Sequence, residues 1–359
     1  MSTASLRYAR TCLAALLLAA YLSNAVAEPS LREVFAQHFR IGAAITPTAL
    51  QNDVQRELLL RHFNSITAEN IMKPAALAQM EDYYNFDVAD SMVDTAAKAG
   101  IAARGHTLVW HQQSPSWFFE DDNGAAKPEV VRKRLEKYVA DVVGHFKGRI
   151  YAWDVVNEVI DPQQPDGYRR SPWFQVLGPT YIETAFRAAQ AADPGAKLFI
   201  NDYGTEDPRK RQFLYALIER LKAKGVKIDG IGHQMHVNIH YPPVQRIDET
   251  LALFAKLGLE NQITEMDVSV YTNMTQNYGR DEDIPRSELI EQAKRYRELF
   301  KVFLKHKSLT SVTFWGLSDL NTWLTSWPIH RPDQPLLFDK QLQPKAAFWA
   351  VVEPDKTIQ

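Results

Sequence analysis

The stretch that decides the fold opens with Ile150-Tyr151-Ala152-Trp153-Asp154-Val155-Val156-Asn157, an apolar run of strand length. A helical pattern follows over 180–192, a strand pattern over 197–202, a second helical pattern over 210–224, and a third strand pattern over 230–236. Strand, amphipathic helix, strand is the repeating unit of a parallel sheet. Outward from this stretch the alternation continues. Strands are expected at 41–45, 65–67 and 102–110 upstream, and at 262–268 and 311–316 downstream. Helices are expected at 86–99, 128–146, 244–257 and 286–306, with less regular patterns at 50–62 and 345–352. Asp87 and Asp207-Pro208 sit where helix caps belong, and Gly100, Gly225 and Gly258 where helices should stop. Eight β-then-α units without a linker predict an α/β fold, a single-domain (β/α)8 TIM barrel. A doubly wound open sheet is the rival, but no Gly-x-Gly-x-x-Gly follows any strand.

Composition agrees with a large globular fold. Of 359 residues, 45% are hydrophobic and 23% charged, which excludes a disordered chain. A formal net charge of −2 gives no electrostatic reason to expect nucleic acid or an anionic membrane as partner. The first 27 residues read as a secretory signal: Arg7 and Arg10, an apolar run over 12–22, then Ala25-Val26-Ala27 before Glu28. Residues 28–359 are then the exported chain, secreted or periplasmic, with no membrane attachment after cleavage. The fold itself is expected from about Ser30 to Pro354. The single cysteine, Cys12, lies in the segment removed, so no disulfide staples the exported chain. No appended binding module is expected, so the grip on substrate must come from the barrel.

In such a barrel the chemistry sits at the C-terminal ends of the strands. The fourth strand ends Val156-Asn157-Glu158 and the seventh runs Ile263-Thr264-Glu265-Met266-Asp267-Val268. Strands four and seven lie across the barrel, so Glu158 and Glu265 should face over a central cleft. Two facing carboxyls are the minimum equipment for cleaving a glycosidic bond, one protonated and one ionised. A lone glutamate here would suit a structural ion pair. Two, each among polar and aromatic neighbours, favour catalysis.

At this point a resemblance is plain. The segments Trp153–Glu158 and Ile263–Val268 resemble the two signature segments of glycoside hydrolase family 10, the endo-β-1,4-xylanases. The similarity runs from Thr67-Ala68-Glu69-Asn70 to Pro335-Leu336-Leu337-Phe338-Asp339, nearly the whole exported chain. It implies a retaining hydrolase of internal xylosidic bonds, with Glu158 as acid/base and Glu265 as nucleophile. Retention implies carboxyls about 5–5.5 Å apart. Glu69, Asn70 and Lys73 match residues that bind sugar hydroxyls on the non-reducing side. His106, Trp110 and Gln113 match further subsite positions, although the family more often has Ser where this chain has Gln112. Asn157 matches a residue bonding the sugar 2-hydroxyl, and Tyr203 one near the reducing-side sugar. Gln234 and His236 match site positions. His236 is expected to bond Glu265 while Asp267 holds its other nitrogen. Trp315 and Trp323 match the indoles that close over the sugar beside the cleavage point. Arg170 stands where the family pattern is acidic.

No cofactor is implied. The spacings His106 to His111 and His233 to His236 put each pair on opposite strand faces, against a metal. Xylan and xylo-oligosaccharides are the expected partners, and the chain is expected to act as a monomer. A barrel glycosidase acting on β-glucan or mannan, and a non-catalytic carbohydrate-binding barrel, are the alternatives. The second commonly lacks one carboxylate. Two long loops, 272–285 and 324–334, are expected at the cleft rim.

Overall fold

The computed structural model describes residues 28–122 and 124–358. The expected signal, 1–27, and Cys12 within it lie outside the described residues. Contacts divide the chain into Met1–Ser30 and Leu31–Gln359, and the architecture below is that of the second unit.

Eight parallel strands close into a barrel. They are β1 (Arg40–Ile45), β2 (Ser65–Ala68), β3 (Ala102–Gly105), β4 (Ile150–Asn157), β5 (Lys197–Asp202), β6 (Gly230–His233), β7 (Glu260–Ser269) and β8 (Leu309–Phe314). Each pairs in parallel with its sequence neighbour, and β8 returns to β1 with Gly42 opposite Thr313. The principal helices are α1 (Asp53–His62), α2 (Asp87–Lys98), α3 (Pro128–His145), α4 (Thr180–Ala192), α5 (Pro208–Ala223), α6 (Val244–Lys256), α7 (Arg286–Phe303) and α8 (Ala346–Val352). The fold is the (β/α)8 barrel expected from the alternation.

Strands covered on both faces must be apolar on the helix side and filled on the inside. In β5, Leu198 and Ile200 join the shared hydrophobic core, while Phe199 points inward beneath the Arg104 guanidinium, 5.4 Å from its ring centre. Arg104 lies on β3, fully buried, and makes a two-pronged pair with Asp154 of β4 and a 3.0 Å bond to Gln262 of β7. This polar crossbrace lies within the barrel, bonded through Asp154 to the cleft residue His106.

Several local expectations need correction. Asp207 does cap α5, accepting from the backbone N–H of Arg209 and Lys210. Asp87 instead occupies the first helical position of α2, with Phe86 at the cap and no side-chain cap bond. The irregular pattern over 50–62 is two helices, Pro47–Gln51 and α1, because Asn52 turns the chain and caps α1 through Val54 and Gln55. Strand three ends at Gly105 rather than Trp110; Val109 then makes an isolated bridge to Val156. Strand six ends at His233, and its continuation His236–Asn238 pairs with β7 only after Met235 adopts φ 65°. Gln234 and His236 therefore reach the cleft through a break, not through strand alternation. Gly100, Gly225 and Gly258 follow their helices at φ of 70°, 70° and 74°, as expected of stops.

Candidate active site

Strand alternation alone would not bring the site residues together. Asp154 and Asn157 are an odd number of residues apart, yet both point into the barrel. The register against β5 shifts between Asp154 and Val156, and the extra residue inverts the phase. In β7 the register against β8 shifts between Ile263 and Met266. Gln262 and Thr264 face inward below the shift, Glu265 and Asp267 above it. Each glutamate thus sits beside a bulge.

The strand ends surround a cleft of about 760 Å³. Glu158 takes φ 59°, an uncommon backbone for a side chain of this kind, and its N–H donates to the Asn201 carbonyl at 2.8 Å. Its Oε1 accepts from Gln234 Nε2 at 3.1 Å, and its Oε2 lies 3.6 Å from His111 Nδ1. Arg169 Nε donates to the Glu158 carbonyl at 2.5 Å, and the same guanidinium donates to Tyr203 Oη at 2.8 Å. Tyr203 is 43% exposed and lies over Lys210 Nζ at 3.5 Å, while Lys210 pairs with buried Asp202 at 2.6 Å.

Glu265 is the more enclosed of the two. Asn201 Nδ2 donates to its Oε1 at 2.7 Å and His236 Nε2 meets its Oε2 at 3.2 Å. The other His236 nitrogen meets Asp267 Oδ2 at 2.8 Å, and Trp323 Nε1 donates to that same oxygen at 2.8 Å. Burial pushes the Glu265 carboxyl up, but the His236 bond and the nearby His106 and His236 rings outweigh it, so the carboxyl is held below its ordinary range. Burial pushes His236 down, yet the Asp267 and Glu265 carboxylates raise it to about 10. At neutral pH an imidazolium therefore lies between two carboxylates.

The Asn157 amide lies 2.9 Å from Asn201 Nδ2 and 3.1 Å from Gln234 Nε2. Asn201 is the hub, and it needs Gly232. A Cβ there would lie 2.2 Å from Asn201 Oδ1 and 2.9 Å from Thr264 Cγ2. On the opposite wall, Asn70 donates to Glu69 at 3.3 Å and Lys73 Nζ to Asn70 Oδ1 at 3.0 Å, with Lys73 also 5.0 Å from the Trp110 ring centre. Burial raises the Glu69 carboxyl against the pull of Lys73 and Asn70, and lowers the Lys73 ammonium against the pull of Glu265, Glu69 and Glu158. His106 Nδ1 meets Asp154 at 2.9 Å, and its ring stands edge-on to Trp315 at 5.2 Å. Trp315 and Trp323 flank His236.

Glu69, Asn70, Lys73, His106, Trp110, Asn157, Glu158, Tyr203, Gln234, His236, Glu265, Trp315 and Trp323 thus all line one cleft. Asp267 lies behind it, bonded to His236 and Trp323. Gln113 is not part of the lining. It sits at φ 48° with its carbonyl accepting from Ala75, and Gln112 lines the cleft instead. Asn201 and Arg104 belong to no local motif, although a lone arginine inside an apolar strand signals a buried partner, and His111 stands out in the sequence only through its spacing from His106. Among the described residues no group of three or more His, Cys, Asp or Glu could hold a metal ion. No helix among them is long and apolar enough to cross a membrane.

Comparison with known proteins gives a consistent result. The sequence profile of Glycosyl hydrolase family 10 matches residues 30–354. An endo-1,4-beta-xylanase A from Caldicellulosiruptor sp. (strain Rt8B.4) is 50% identical over 335 residues, 91% of this chain and 48% of that protein. This chain therefore spans about half the length of that relative. The crystal structure of xylanase B from Clostridium stercorarium F9 superimposes with a TM-score of 0.88 at 47% identity, covering 91% of this chain and all of that one. TsXylA, the intracellular xylanase of Thermoanaerobacterium saccharolyticum, was crystallised as a mutant with xylotriose. It superimposes with a TM-score of 0.82 at 40% identity, over 91% of this chain and 99% of that one.

Proposed function

The chain belongs to glycosyl hydrolase family 10, and from that premise we propose that it is a retaining endo-1,4-β-xylanase with Glu158 as acid/base and Glu265 as nucleophile. The observation that carries this reading is the asymmetry of the two carboxyls. Glu265 is enclosed, hydrogen-bonded by Asn201 and His236, and held ionised. Glu158 has one oxygen bonded by Gln234 and the other left without such a donor. One is equipped to attack and the other to exchange a proton.

In the first step a Glu265 oxygen attacks the anomeric carbon as the bond to the leaving oxygen breaks. Glu158 gives its proton to that oxygen. In the second step Glu158 takes a proton from water, the water oxygen attacks the same carbon, and the Glu265 ester breaks to restore the carboxylate. Two inversions retain the configuration. Glu158 must hold its proton while Glu265 is ionised and release it once that charge is consumed. Glu69, Asn70 and Lys73 supply a carboxylate, an amide and an ammonium to sugar hydroxyls that both donate and accept. His106, Trp110 and Gln234 are assigned to the same hydroxyl contacts, and Asn157 to the 2-hydroxyl. Trp315 and Trp323 offer flat apolar faces to a xylose ring and fill the space a 6-hydroxymethyl group would need. Tyr203 is assigned to the reducing-side sugar. Gln113 lies next to Gln112 of the cleft lining, its carbonyl accepting from the Ala75 N–H.

Residues 1–27 are proposed as an export signal, residues 28–359 as the catalytic domain, and the site of action as the periplasm or medium, as a monomer. The test is reducing-sugar release from xylan, carboxymethylcellulose and mannan, with Glu265→Ala alongside. Release from xylan that falls by about 10⁴-fold or more in the variant is expected. Release from glucan or mannan instead would overturn the substrate, and full activity in the variant would overturn the nucleophile.

A further inference from the structure

One carboxyl of the cleft lining takes no part in the mechanism above. Glu206 is only 8% exposed and lies in the short loop between β5 and α5, three residues beyond Tyr203. Its neighbours fix the backbone that carries it. Gly204 turns the chain at φ 58°, Thr205 Oγ1 lies 2.7 Å from His233 Nδ1, and Asp207 caps α5 while its N–H donates to the Gly204 carbonyl at 3.0 Å. The nearest cations do not pair with Glu206. Lys210 Nζ is committed to Asp202 at 2.6 Å, and Arg246 reaches Glu206 only through its charge. Among the described residues no other side chain donates to the Glu206 carboxyl, and its one donor is its own backbone N–H. A buried carboxylate ordinarily accepts several hydrogen bonds, because losing water without replacement donors is costly. Here the side facing the cleft has none, and a ligand in the cleft is placed to supply them.

We propose that Glu206 is a specificity-determining residue for the half of the substrate on the reducing side of the cleaved bond, its carboxylate accepting hydrogen bonds from adjacent free hydroxyls of a xylose unit there. The proposal rests on the xylanase reading above, which assigns Tyr203 of the same loop to the reducing-side sugar. A carboxylate accepts and does not donate, so its two oxygens suit two neighbouring hydroxyls. A branch on either hydroxyl would remove a donor. Burial raises the Glu206 carboxyl, helped by the Asp207 charge, while its own N–H, Lys210 and Arg246 pull it down. Hydroxyl donors add to the second set and favour the ionised form. This contact is open only to substrates that extend past the cleavage point, so it selects by what occupies the leaving half.

The experiment is kcat/KM on two substrates. Xylotetraose can span the cleavage point, whereas the leaving group of 4-nitrophenyl β-xylobioside carries no sugar hydroxyls. Wild type, Glu206→Ala and Glu206→Gln are compared, with folding checked by thermal unfolding. The expected result for Glu206→Ala is a loss of about 10-fold or more on xylotetraose and within about threefold on the aryl xylobioside. Glu206→Gln should recover part of the loss on xylotetraose, since its amide oxygen still accepts from one hydroxyl. Equal losses on both substrates would reduce Glu206 to a structural part and overturn the proposal. The wild type separates this proposal from the reading beneath it. If it cleaves neither substrate, the xylanase reading fails and this proposal with it. If it cleaves both and Glu206→Ala matches it on both, the xylanase reading stands and the Glu206 proposal alone is overturned.

Discussion

Glu265, His236 and Asp267 form a three-residue relay whose charges can be read from a pH profile. The carboxyl of Glu265 must be ionised to attack, and the His236 bond is the first of the contacts that hold it below its ordinary range against burial. Removing the imidazole leaves burial to act, which raises a carboxyl. The acid limb of kcat/KM for xylan in His236→Ala should therefore move towards neutral pH, with the loss steepest on the acid side. A limb that stays in place would show that Asn201 and His106 suffice. At this scale the sequence was legible where a residue's chemistry is self-evident, as in Glu158, Glu265, His236 and Asp267. It was not legible where a residue acts only through others. Asn201 bonds both Asn157 and Glu265 because Gly232 makes room for it, a relation between strands that no local pattern records.

The elements were legible for a different reason. Eight apolar strands between amphipathic helices repeat a signal that periodicity detects well. Departures from it gather at the cleft: β3 ends early, β6 breaks at Met235, and β4 and β7 carry register shifts beside their glutamates. One inserted residue inverts which side chains face inward, and an alternation count does not see it. The two long loops were expected at the rim one by one, but they are tied together. Arg331 donates to the Asn273 and Gln276 carbonyls at 2.9 and 2.7 Å, with its guanidinium 3.8 Å over the Tyr271 ring. Gln334 adds a 3.3 Å bond to Asp281. The tied loop presents Trp327, 61% exposed and stacked on Trp323 at 5.4 Å. Arg331→Ala is expected to free this ledge, raising KM for xylan about threefold to tenfold with kcat little changed, and to speed proteolytic nicking within 272–280. Unchanged KM and unchanged nicking would show that the tie does not hold the rim.

Across the whole molecule, stability should depend on pH through groups remote from the chemistry. His233 is buried beneath the cleft, bonded to Thr205 at 2.7 Å and Asn261 at 2.9 Å, and burial lowers it from 6.5 to about 4. The unfolded chain then binds a proton that the folded one refuses between those values, so stability present above pH 6.5 is lost as pH falls through about 4. Asp319 and Asp333 act in the opposite sense. Burial raises both to about 6, so the folded chain takes up their protons first, and the stability they contribute is lost as pH rises through about 6. The two trends oppose each other between pH 4 and 6, and His62, which burial also lowers to about 4, adds to that of His233. His233→Gln keeps a donor and an acceptor for Thr205 and Asn261 but cannot titrate. Its unfolding free energy, measured by urea titration, should fall less than the wild type's between pH 6.5 and 4, by on the order of 3 kcal/mol at most. Equal falls in the two proteins would assign the acid sensitivity to other groups. A smaller fall in the variant would identify His233, outside the catalytic relay, as one of the acid-sensitive groups, so that acid tolerance and catalytic pH range could be altered separately.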